Sequence, residues 1–208
     1  MKTERRFIDV KEIRADEEGM FIEGYPIVYN SVTEIAGMFR ERIDPGAAAE
    51  ALRESDEILL FNHDSNFPLA RRSNSTLEAV EDEKGVKIRA DLSGSARGRE
   101  AHEMIKNGLI TKMSFSFTVR EQSWETAEKG ELDLRVIKKF EMIYDYSPVT
   151  FPAYQATEVL ARSAEQVQNE REPSPEDERT SPEEEFDPSV LEPYELELNY
   201  LTGENNHD

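Results

Sequence analysis

Lys112-Met113-Ser114-Phe115-Ser116-Phe117 alternates large apolar and small polar residues with a period of two. Successive side chains of a strand point to opposite faces, so Met113, Phe115 and Phe117 share one face and Ser114 and Ser116 the other. A face of two aromatics and a methionine calls for a core, which makes this stretch the centre of a β-rich domain. The opposite face carries two small hydroxyls. They suit either a site where a nucleophile needs open approach or an ordinary solvent face, and periodicity does not choose between the two serines.

On either side of this strand, short apolar runs alternate with turn signals at close spacing. Strands are expected at 6–13, 20–28, 57–61, 75–81, 86–92, 112–122 and 132–146. Glu81-Asp82-Glu83-Lys84-Gly85 reads as a hairpin turn, and Glu128-Lys129-Gly130 as a second reversal. Helical signals are fewer. Asp44-Pro45-Gly46 opens a short helix over the following Ala-rich run. Ser95 caps a helix ending at Asn107-Gly108, a good C-terminal stop. A third short helix is expected over 156–161. The fold class is therefore mainly β with peripheral helices, as a compact, mostly antiparallel, barrel-like domain.

Charge divides the chain in two. Of the net −20, residues 164–208 carry −13, from 15 Asp and Glu against two arginines, which leaves −7 for residues 1–163. The stretch 169–188 is rich in Pro, Glu and Ser and nearly devoid of large apolar groups. It buries too little surface to offset its ordering entropy, so an acidic, disordered tail is expected over 164–208. Within it, 186–201 regains aromatic and aliphatic residues as a patch suited to docking.

Composition also excludes function classes. With no cysteine among 208 residues, a disulfide framework, a thiol nucleophile and thiolate zinc sites are ruled out. The three histidines, His63, His102 and His207, make an all-protein zinc site lean on carboxylates, and no metal or cofactor is expected. So acidic a surface repels phosphate backbones, which argues against direct nucleic-acid binding. Residues 1–19 hold no apolar signal core, and no apolar run approaches membrane-spanning length. A soluble, intracellular protein is expected.

Two further stretches carry chemistry. Leu59-Leu60-Phe61-Asn62-His63-Asp64 runs a buried strand into a polar triplet, with Leu59, Phe61 and His63 on one side by alternation. An imidazole there suits a general base near neutral pH, or a hydrogen-bonded structural histidine at a loop entrance. In the stretch from Phe140 to Tyr146, Glu141, Ile143 and Asp145 share one face. An acid on so apolar a strand costs desolvation unless paired, so Asp145 is a candidate to orient an imidazole, and Glu141 reads as a surface carboxylate. The chemistry that would unite such residues is a hydrolytic triad, because a serine hydroxyl attacks well only when a neighbouring imidazole takes its proton.

In order and spacing the chain resembles the prohead proteases of tailed bacteriophages, a group with a fold similar to herpesvirus assemblin. The resemblance runs from about Ile22 to Arg162. It rests on Gly24-Tyr25-Pro26-Ile27-Val28-Tyr29-Asn30, Phe39-Arg40-Glu41-Arg42-Ile43-Asp44-Pro45-Gly46-Ala47 and Asn62-His63-Asp64. Ser75-Thr76-Leu77, Gly108-Leu109-Ile110-Thr111-Lys112-Met113-Ser114-Phe115 and Tyr146-Ser147-Pro148-Val149-Thr150-Phe151-Pro152-Ala153-Tyr154 complete it.

The resemblance implies a nucleophile at Ser114 and a base at His63. Related enzymes take a carboxylate or a second histidine as third member. The acidic position before the family's Ser-Pro-Val-Thr falls on Asp145, while His102, on a helix expected to be exposed, ranks below it. Two departures stand out: Ser116 where the family often has glycine, and Leu69-Ala70-Arg71 where it often has Leu-Gly-Arg.

By the same resemblance the chain is a serine endopeptidase of the procapsid interior in the host cytoplasm. Its expected substrates are the scaffold, or the scaffold-like segment of the major capsid protein, and itself. Self-association is compatible with that role, and the acidic tail would be a packaging or removable segment cut between about residues 164 and 185. The alternatives are a non-catalytic assembly factor that keeps the protease fold, and a hydrolase of small esters using the same Ser–His pair.

Overall fold

The computed structural model describes residues 3–8, 13–16 and 19–150, together with 165, 167 and 168. Strands and helices among the described residues follow in chain order: β1 (Glu4–Ile8), β2 (Arg14–Ala15), β3 (Phe21–Val28), β4 (Thr33–Ile35), β5 (Phe39–Ile43), α1 (Ala51–Glu54), β6 (Ile58–Phe61), β7 (Asp64–Arg71), β8 (Leu77–Glu81), β9 (Gly85–Asp91), α2 (Ala96–Lys106), β10 (Lys112–Glu125) and β11 (Leu134–Val149). The domain is mainly β with few helices, as its alternating runs dictate. The expected third helix and nearly all of the acidic tail lie outside the described residues.

The strands do not close into a barrel among the described residues. They form a seven-stranded sheet, β1-β10-β11-β5-β4 with β6 and β7 attached through β11, and a four-stranded sheet, β2-β3-β9-β8. The expectation of a mostly antiparallel arrangement needs a second amendment, since β11 pairs in parallel with both β5 and β6. At 16 residues β11 is long enough to accept β5 along its first half and β6 along its second. Local patterning carries no trace of such non-local pairing.

One hydrophobic cluster draws on both sheets, with Ile22, Ile27 and Ile88 from the smaller and Phe115, Phe117, Ile137 and Phe140 from the larger. Phe117 sits 4.9 Å from both the Phe115 and Phe140 rings, stacked on the first and edge-on to the second. Burying each such ring contributes roughly 1.5–3 kcal/mol. The Met113, Phe115 and Phe117 face is therefore the core face of β10. A smaller cluster places Val167 against Ile35 and Phe39.

Local signals set the boundaries of α2. Ser95 Oγ accepts the Gly98 amide at 2.9 Å, and the chain leaves the helix at Asn107 and Gly108, whose φ of +71° suits glycine. The β8–β9 reversal ends on Gly85, where an added Cβ would lie 2.0 Å from the Ile27 carbonyl oxygen, so only glycine allows β3 and β9 to meet there.

Candidate active site

The antiparallel register of β10 and β11 sets Ser114 opposite Ser147 and Ser116 opposite Asp145. These four side chains are buried on the side of β10 away from Met113, Phe115 and Phe117. Neither the Ser114 nor the Ser116 hydroxyl faces solvent, so the solvent-face reading of the two serines does not hold. Asp145 reaches this position because β11 slips one residue against β10 between Asp145 and Ile143. The bulge takes up Tyr144, which is exposed, and lets Ile143 join the core while Asp145 joins the serines.

His63 arrives from the other side of β11. Phe61 pairs with Asp64, so Asn62 and His63 form a two-residue hairpin loop between β6 and β7. Their φ values, +54° and +57°, are those the tight hairpin turn of right-handed strands requires, and Asn and His tolerate them better than most side chains. His63 therefore belongs to a turn, and the strand alternation expected to group it with Leu59 and Phe61 stops at Phe61.

The end of β11 pins this turn. The Asn62 amide donates to the Pro148 carbonyl at 3.1 Å, the Thr150 amide donates to Asn62 Oδ1 at 2.9 Å, and Asn62 Nδ2 donates to Thr150 Oγ1 at 3.1 Å. The His63 amide donates to Ser147 Oγ at 3.1 Å.

The three expected site residues meet in one hydrogen-bonded line. His63 Nδ1 lies 2.6 Å from Asp145 Oδ1, and His63 Nε2 lies 2.5 Å from Ser114 Oγ. An ionised carboxylate only accepts, so Nδ1 carries the proton, and Nε2 of the neutral ring is an acceptor directed at the Ser114 hydroxyl. Ser116 Oγ donates to Asp145 Oδ2, and Ser147 Oγ donates to Oδ1 at 2.8 Å. Burial pushes the Asp145 carboxyl up. The hydrogen bond and charge of His63, joined by the two serine hydroxyls, outweigh burial and hold it below the ordinary aspartate value. The carboxylate is thus kept ionised and aimed at the imidazole. Such an arrangement fixes one tautomer, stabilises an imidazolium, and presents Nε2 to take the proton of a serine under attack.

Glu141 stays away from this line, on the surface, with its carboxylate 2.5 Å from Arg120 Nε. His102 departs from expectation: α2 buries it, at 1% exposure, because it lies on the helix face shared with Ala101 and Ile105. Neither of its ring nitrogens has a hydrogen-bond partner among the described residues, so it takes no part in the Ser114–His63–Asp145 line.

Sequence reasoning missed Ser147. Its signal was available, since Ser147 stands two residues beyond Asp145 on the same strand face. Also missed is a buried cluster of two arginines and two carboxylates, Arg6, Arg135, Glu4 and Glu41, beside the same strands. Four charges scattered over three strands leave no local pattern.

No curated protein matches this chain. Among solved structures, the bacteriophage T4 capsid assembly protease gp21 is similar at a TM-score of 0.47 and 12% identity, over 71% of this chain and 97% of that one. No helix among the described residues is long and apolar enough to cross a membrane. Residues 8–171 match the family described as Caudovirus prohead serine protease. With most of its length so matched, the chain belongs to the caudovirus prohead serine proteases, hydrolases of peptide bonds.

Proposed function

We infer that this capsid-maturation protease cuts by nucleophilic attack of Ser114, with His63 as base and Asp145 as the group that orients it. The observation that carries this reading is the unbroken line Ser114 Oγ–His63 Nε2, 2.5 Å, and His63 Nδ1–Asp145 Oδ1, 2.6 Å. As Ser114 Oγ attacks the scissile carbonyl, its proton passes to His63 Nε2, and Asp145 stabilises the imidazolium without itself taking the proton. The imidazolium then protonates the leaving amine, giving an acyl-enzyme. Water, activated by the same imidazole, releases the acid and restores Ser114.

The substrates in this reading are the scaffold, or the scaffold-like segment of the major capsid protein, and the protease itself, inside the procapsid in the host cytoplasm, where the chain self-associates. Residues 1–163 form the catalytic unit and 164–208 an acidic packaging or removable segment. The self-cut falls between about residues 164 and 185. An assemblin-like ancestry of the fold belongs to the same reading.

Co-expression with the capsid and scaffold proteins of the same virus tests it. The chain should shorten those proteins and lose its own tail, as read by intact-mass spectrometry, and the Ser114→Ala variant should leave all of them full length. Equal processing by both chains would overturn the assignment.

A further inference from the structure

Strand β1 lies on the edge of β10 opposite β11, antiparallel, with Arg6 against Phe115 and Phe7 against Ser114. It brings the Arg6 carbonyl oxygen to 2.8 Å from Ser114 Oγ. The Ser114 hydroxyl has one proton and two acceptors in reach, this carbonyl and His63 Nε2 at 2.5 Å. A proton held by the carbonyl is withheld from the imidazole. Ser114 is also wholly buried, at 0% exposure. Attack needs the reacting atoms about 3–3.5 Å apart, a distance no peptide arriving from solvent attains in this arrangement.

Buried charges hold β1 in place. Arg6 donates to both Glu41 oxygens, at 2.5 and 2.8 Å, and to Glu4 Oε2 at 2.6 Å. Arg135 donates to Glu4 at 2.6 and 2.8 Å and to Glu41 at 2.8 Å. Glu4 and Arg6 come from β1, Glu41 from β5 and Arg135 from β11. The four charges cancel and each is paired, which is the condition for keeping ions out of water. The segment matched to the family begins at residue 8, so Glu4 and Arg6 both lie outside it.

We propose that β1 is an intramolecular plug, held by the Glu4–Arg6 latch, which occupies the β10 edge where an extended polypeptide substrate adds as a strand. This rests on Ser114 being the nucleophile. A vacated edge offers unpaired N–H and C=O groups, which another extended chain satisfies by main-chain hydrogen bonding. The substrate's scissile carbonyl would then take the place of the Arg6 carbonyl, and departure of β1 would return the Ser114 proton to His63.

The test is the rate at which a phosphonyl fluoride modifies Ser114 in the full chain; the hydroxyl oxygen bonds to phosphorus, fluoride leaves and the proton passes to the imidazole. Glu4→Ala/Arg6→Ala removes one charge of each sign and leaves Glu41 paired with Arg135. It should label at least tenfold faster than the unaltered chain, and a synthetic peptide of residues 3–8 should slow it again. Glu4→Gln keeps the shape of the latch, should label at an intermediate rate, and serves if the double variant does not fold by circular dichroism. Equal labelling of the unaltered and latch variants would overturn the plug and leave the nucleophile standing. Absence of labelling in every folded chain would overturn both.

Discussion

The backbone amide of His63 donates to Ser147 Oγ, and that hydroxyl donates onward to Asp145, the carboxylate that also holds the His63 ring. Main chain and side chain of His63 are thus tied to one strand, β11. This allows an imidazole on a two-residue turn to be held as firmly as one on a regular element. Ser147→Ala removes an acceptor from the His63 amide and a donor from Asp145. It should cost about 1–3 kcal/mol of stability and lower kcat more than it raises KM. Urea unfolding and peptide-cleavage kinetics check this; unchanged kcat would show that Ser147 only fills space.

Ser114→Ala and His63→Ala should each reduce cleavage by a factor on the order of 10⁴–10⁶, to a similar extent, and the double variant should be little worse, since triad members act as a unit. Single-turnover cleavage of a capsid-derived peptide measures this. Losses that multiply in the double variant would mean the two residues act independently.

Asp145→Asn keeps the shape of the site but removes the charge that favours the Nδ1–H tautomer. A loss of roughly 10²–10⁴ in kcat is expected, short of abolition because the nucleophile and base remain. Ser116→Ala takes away one of the hydroxyls that donate to Asp145, and a loss of about tenfold to 100-fold follows, at about 1–3 kcal/mol for an unmade bond to a charged group. Abolition by Ser116→Ala alone would move the nucleophile one strand repeat along.

Acid should loosen the fold in a predictable direction. Asp145 and Glu41 are both pushed up by burial and pulled further down by their partners, His63 and the serines for one, Arg6 and Arg135 for the other. A carboxyl depressed in the folded state contributes stability that is present above its unfolded value, about 4, and is lost as pH falls through the folded value. The unfolding free energy should therefore fall steadily as pH drops from about 5 to about 2. Asp145→Asn should flatten part of that slope. Stability that rises on acidification would contradict the ion pairing.

The sequence disclosed those parts of this fold that depend on neighbours along the chain. Ser95 and Asn107-Gly108 bound α2 because capping is local, and the 81–85 reversal was legible because Gly85 is required there. Strand β7 was hidden by Asn66 and Pro68, residues that argue against a strand; among the described residues it is an edge strand paired to β6 alone, where proline is tolerated. Strand β5 was hidden by its charges, Arg40, Glu41 and Arg42, of which Glu41 is buried by distant arginines. The bulge at Tyr144 broke the alternation on which the faces of β11 were read, although Asp145 kept its expected partner.

The most direct measurement is the position of the adduct after prolonged exposure of the full chain to a phosphonyl fluoride, located by fragmenting the tryptic peptide 113–120. A single adduct on Ser114, lost in His63→Ala, is the predicted result. An adduct on Ser116, or one on Ser114 that forms as fast without the imidazole, would contradict a nucleophile activated by His63.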